Sequence, residues 1–146
     1  KYIAVWQVPY QPGTLKAIGY NGKKQVNVSE LKTAGDPAQI KLSADRSKIK
    51  ADGQDLSYVT VELTDTNGIR NPKTESLITF SIDGPGTIAA VGNANPVSIE
   101  SCQLPYRKAW RGKCLVIVKS DTKRGMITLY ATASGFNKAS IEIESN

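Results

Sequence analysis

The sequence contains no histidine, only two cysteines, one methionine and two phenylalanines in 146 residues. Without histidine the chain lacks the commonest general base, the usual partner of a nucleophilic serine and the commonest metal ligand. Two cysteines cannot complete a structural zinc site by themselves. Cys102 and Cys114 therefore admit two readings, one disulfide or two free thiols. Adjacent strands would bring their Cα atoms to the ~5.5 Å that a disulfide needs. Cys114, however, opens an apolar run and fits a buried thiol, so free thiols are preferred. No apolar run approaches the ~20 residues of a membrane-spanning helix. No leader with a charged start and an apolar stretch is visible either. Lys1 stands where a methionine would begin a chain, which reads as a piece cut from a larger protein with any export signal upstream. No stretch carries a sustained 3.6-residue apolar stripe with capping residues, so helices are not expected.

What is present is basic charge and period-two alternation. Lysine and arginine number 19 against 13 acidic residues, for a formal net charge of +6. The densest basic group is Arg107, Lys108, Arg111 and Lys113 around Trp110, and it reads as a solvated surface. No nucleic-acid motif accompanies it, so neither a nucleic acid nor membrane insertion is expected. Val59, Val61 and Leu63 alternate with polar neighbours, as do Ile78, Phe80 and Ile82. Ile127, Leu129, Ala131 and Ala133 do the same, followed by Ile141 and Ile143. Each run is one apolar and one polar face of a half-buried strand. Leu115–Val118 is apolar throughout, which predicts a central strand covered on both faces.

Turn signals divide these runs. Asn21-Gly22 predicts a hairpin, and Asp52-Gly53, Asn67-Gly68, Gly84-Pro85-Gly86 and Arg124-Gly125 mark further turns. The fold class expected is all-β, an immunoglobulin-like β-sandwich over residues 36–146 with about seven strands. Residues 1–35 are expected to be closing strands of a preceding β-domain: Tyr2–Val8, then Leu15–Tyr20 paired with Gln25–Leu31. So few strands cannot bury both faces of a sheet. Thr33–Pro37 is punctuated by glycine and proline and reads as the linker.

Candidate catalytic carboxylates would pair as Asp52 with Asp55 and Asp65 with Asp83, but each sits where aspartate satisfies turn backbone. Asp65-Thr66-Asn67-Gly68 begins like a calcium loop and then places Ile69 and Arg70 where oxygen ligands and glycine belong. Gly84-Pro85-Gly86 leads into a strand pattern, and no helix opens there to hold a phosphate. No catalytic residue, metal or cofactor is therefore assigned. The exposed aromatic candidates are Trp6, Tyr10, Tyr106 and Trp110, with Tyr20 beside them; they suit core or interdomain packing, or contact with a sugar ring.

Two resemblances follow from motifs. Ala51–Gly68 resembles bacterial immunoglobulin-like domains, including those of the invasin type, in its Ala-Asp-Gly turn, strand and Asp-x-Asn-Gly turn. Over nearly the whole chain, Trp6-Gln7-Val8-Pro9-Tyr10, Thr33-Ala34-Gly35, Gly92-Asn93, Arg107-Lys108-Ala109-Trp110 and Gly112–Val118 resemble, in order, the C-terminal region of family 2 glycoside hydrolases. That resemblance implies a β-galactosidase-like parent whose two carboxylates lie on an upstream barrel. It also implies an exported, periplasmic or extracellular protein. This chain would be a non-catalytic accessory domain whose partners are the parent's other domains, with oligosaccharide as a further candidate. A carbohydrate-binding module and an adhesin-type spacer are the alternatives. One departure is Asn93-Ala94-Asn95, where the family often has Asn-Gly; alanine disfavours positive φ and leaves that turn open to question.

Overall fold

The computed structural model describes residues 3–146, and every regular element in them is a β-strand. The chain divides into two compact units, Lys1–Thr33 and Ala34–Asn146.

The first unit is a hairpin of β1 (Thr14–Asn21) and β2 (Lys24–Lys32). Asn21 pairs with Lys24, so Gly22 and Lys23 form the turn, one residue later than the sequence suggests. Gly22 has φ +61, as the first central position of a two-residue hairpin requires. Leu15 faces Leu31 and Ile18 faces Val28 across the ladder, with Lys16 and Glu30 paired at 3.2 Å. Every residue of both strands is exposed. The strand expected at Tyr2–Val8 does not form over Ile3–Val8, and its first residue lies outside the described residues. Its alternation has no neighbouring strand to pair with, and a strand persists only as part of a ladder.

The second unit is a two-layer sandwich. One sheet has the order β4-β11-β10-β6-β8 and the other β3-β5-β9-β7. Their strands are β3 (Gln39–Ala44), β4 (Lys48–Ile49), β5 (Leu56–Thr64), β6 (Leu77–Asp83) and β7 (Gly86–Gly92), followed by β8 (Tyr106–Lys108), β9 (Lys113–Ser120), β10 (Gly125–Ala133) and β11 (Ala139–Ser145). All pairings are antiparallel except β4 with β11. The count exceeds the expected seven because β4 and β8 span two and three residues, too short for any periodic signal.

Alternation decides the layers. Val59, Val61 and Leu63 of β5, Val116 and Val118 of β9, and Ile127 and Leu129 of β10 point inward and are fully buried with Ile78, Val91 and Ile143. Each such aliphatic side chain contributes roughly 1.5–3 kcal/mol by leaving water. β9 is central, between β5 and β7, as its apolar run predicts. Its second face is half-covered rather than buried: Leu115 and Ile117 point away from the core.

Candidate functional site

The carboxylates hold backbone. Asp65 is 3% exposed and accepts the amide hydrogens of Gly35, Asn67 and Ile69 at 2.8–2.9 Å. Asp55 accepts from Lys50 and Leu56 and pairs with Arg46, while Asp52 accepts from Gln54 and Asp55. Asp83 accepts from Gly84. The expected pairs are therefore turn braces, and the calcium-like loop spends the Asp65 oxygens on amide hydrogens. Those bonds, from Gly35 first, lower the Asp65 pKa below the usual aspartate value. A depressed folded pKa makes the contribution complete above the unfolded value and removes it as pH falls through the folded one. Urea midpoints measured from pH 5 downward should fall on acidification, and Asp65→Asn should flatten that fall.

Trp110, Arg111, Gly112 and Lys113 form a tight turn into β9. The Trp110 and Lys113 backbones exchange hydrogen bonds of 2.9 and 3.1 Å around Arg111 (φ 51) and Gly112 (φ 72). Two consecutive positive φ values define a type I′ turn. The geometry carries the Arg111 guanidinium to 5.6 Å from the centre of the Trp110 ring. Beside them opens a cleft of about 550 Å³, whose lining includes Arg70, Gly92, Asn93, Ala94, Trp110 and Leu115. The Asn93-Ala94-Asn95 turn needs no positive φ at Ala94, because the Asn93 side-chain oxygen accepts the Asn95 amide hydrogen at 3.1 Å. The Asn93 amide nitrogen donates to the Lys108 carbonyl at 2.8 Å.

Arg107 was expected on a solvated basic surface and is instead 1% exposed. In β8 the pleat turns Tyr106 and Lys108 outward and Arg107 inward. The two terminal nitrogens of the guanidinium donate there to the carbonyls of Val91 (2.6 Å), Ser101 (3.0 Å) and Glu100 (3.2 Å) and to the Glu100 carboxylate at 3.4 Å, while Nε is buried without a partner. It thereby pins the long connection between β7 and β8. The basic group around Trp110 is thus split: Arg107 is structural, while Arg111 borders the cleft.

Both cysteines are free thiols, Cys102 exposed and Cys114 buried. Burial pushes the Cys114 thiol up to about 12, against an opposing pull from the Arg107 charge. A maleimide should label one cysteine in the native protein, at position 102, and the second only after denaturation.

Of the four aromatics singled out from sequence, only Trp110 lines the cleft. Tyr106 faces outward on β8 opposite Thr79, in the other sheet. Trp6 and Tyr10 belong to the first unit, where they are 71% and 78% exposed. Sequence reasoning missed Arg70, Asn93 and Leu115 as cleft residues, and it missed the Arg111-Gly112 turn, whose Xaa-Gly pair before a strand is a readable signal.

Comparison with known proteins gives a consistent set. The family described as glycoside hydrolase family 2 C-terminal domain 5 matches residues 40–142, and a domain of unknown function (DUF4982) matches residues 1–27. Beta-galactosidase BoGH2A of Bacteroides ovatus is 45% identical over 138 residues, covering 94% of this chain and 16% of that protein. A putative beta-glucuronidase of Formosa agariphila is 33% identical over 118 residues, covering 79% of this chain and 11% of that protein. A crystal structure of a glycosyl hydrolase family 2 member from Bacteroides cellulosilyticus superposes with a TM-score of 0.91 at 49% identity, covering 97% of this chain and 18% of that one. The chain spans less than a fifth of the length of each.

Proposed function

The chain belongs to the C-terminal domain 5 family of glycoside hydrolase family 2, and on that premise we propose that it serves a retaining, β-galactosidase-like glycosidase as its non-catalytic accessory region. The carrying observation is coverage: similarity runs along almost all of this chain and a small part of relatives named as enzymes. The engaged carboxylates agree with it, since a retaining mechanism needs two carboxyl groups ~5 Å apart and facing a sugar. In this reading the acid/base and the nucleophile belong to a barrel elsewhere in the polypeptide. The adhesin-spacer alternative is not carried forward, because the family is that of hydrolase C-terminal domains.

Residues 1–35 are, in the same proposal, closing strands of a preceding β-domain. The exposed Leu15, Ile18, Tyr20 and Leu31 support it, since a lone hairpin with two open faces is marginal in water. Trp6 and Tyr10 then contact that domain. For Trp110 and Tyr106 we favour interdomain contact over a sugar platform: Arg111 lies over the Trp110 ring, and Tyr106 stands in the other sheet.

Deleting residues 1–146 from the parent tests the proposal. Soluble yield and thermal midpoint should drop, while KM for an aryl β-galactoside in the surviving enzyme stays within about twofold. A large rise in KM for oligosaccharides alone would transfer the role to sugar binding.

A further inference from the structure

The Trp110 cleft combines three features that the accessory reading does not by itself explain. Its lining is mostly apolar and includes Leu115, Ala94 and Trp110. Two arginines border it, Arg70 and Arg111, and neither pairs with a carboxylate among the described residues. Arg111 is also the only non-glycine at positive φ among the described residues. A non-glycine is strained there, and asparagine or glycine would hold that conformation more easily. The strained position thus presents an unpaired guanidinium at the mouth of an apolar cleft.

A neutral sugar is a poor occupant. Asn93 is the only amide or hydroxyl side chain on the lining, and both ends of its amide are already bonded within the chain. An apolar side chain flanked by carboxylates matches what is offered: van der Waals surface below and two guanidinium forks above. The two unpaired arginines, rather than the overall charge of this unit, draw such a segment to the cleft.

We propose that this cleft seats an acidic loop of another domain of the parent polypeptide, one apolar side chain on Leu115 and its flanking carboxylates on Arg70 and Arg111. The inference rests on the accessory-domain reading and adds the chemistry of the contact.

The test uses the full-length parent with carbene footprinting read by mass spectrometry. Trp110 should be protected in the wild type. Arg70→Glu/Arg111→Glu should raise its labelling about threefold, because like charges across an interface repel. Arg70→Lys/Arg111→Lys should keep the protection. Both arginines are exposed, so the near-ultraviolet circular dichroism of each variant parent, recorded alongside, should match the wild type and show the fold intact. In Arg111→Lys, carbodiimide should couple position 111 to an aspartate or glutamate outside these 146 residues. Equal labelling of Trp110 in the wild type and the charge-reversed parent overturns the proposal. So does protection that appears only on adding trigalacturonic acid, or only at high parent concentration, which would assign the cleft to an acidic sugar or a second copy. If Leu15 and Leu31 are protected while Trp110 labels freely, the inference alone fails; if all three label freely, the accessory reading fails with it.

Discussion

Arg107→Met should destabilise the sandwich by about 1–3 kcal/mol, the cost of leaving a buried acceptor without its donor. Methionine fills much of the same volume, so the loss comes from polar atoms left alone. The carbonyls of Val91, Ser101 and Glu100 would each lose a donor, the first in a fully buried contact and the other two in partly buried ones. An orphaned buried acceptor costs roughly 1–3 kcal/mol, and these three lie close enough to share part of that cost. The connection between β7 and β8 would also come free, and its backbone beside the already exposed Val97 and Ile99 would become mobile enough for protease to cut. Arg107→Lys should recover only part of the loss, because an ammonium is a point charge and cannot reproduce a planar fork spanning carbonyls of three residues. Urea unfolding followed by near-ultraviolet circular dichroism measures the first effect, and limited proteolysis the second. A loss under about 1 kcal/mol for Arg107→Met would mean that the network contributes no more than an ordinary surface contact.

The second large effect is expected at Gly112. A β-carbon there would stand 2.2 Å from the Asn71 carbonyl oxygen, which is backbone and cannot swing aside. The residue has φ 72, a region that costs an L-residue about 1–2 kcal/mol before any clash. Its amide hydrogen goes to the Thr74 carbonyl and its carbonyl accepts from Leu63, both at 2.9 Å, so the turn cannot shift without breaking its ties to β5. Gly112→Ala should therefore cost about 3 kcal/mol, strain and displacement together. Arg111→Asn, one residue earlier, should be neutral or stabilising, because asparagine tolerates that conformation. This opposed pair separates turn geometry from general sensitivity of the loop.

Much of the sandwich was legible because its long strands bury one face. The alternations in β5, β6, β10 and β11 appear in the sequence as apolar-polar repeats, and the same residues form the core. Where burial is absent the signal misleads. Ile3–Val8 looks like a strand by composition and remains irregular, since alternation supplies a face but no partner. Arg107 misleads in the opposite way: a charged residue between Tyr106 and Lys108 looks like surface, and only the pleat and three waiting carbonyls make it core. The cleft was legible only in part. Trp110 and Arg111 adjoin in sequence, but Arg70 arrives from the turn after β5 and Asn93 from the end of β7, and tertiary structure alone brings them together. The aspartates were readable because their neighbours, glycine and asparagine, carry turn chemistry at short range.

In the proposed role this chain supports a glycosidase without performing its chemistry. The most direct measurement compares hydrolysis of 4-nitrophenyl β-galactoside and β-glucuronide by the purified 146-residue chain and by the full-length parent. The parent should turn over at least one of the two, and the chain alone neither above buffer. Turnover by the isolated chain that scales with its concentration and survives further purification would contradict it.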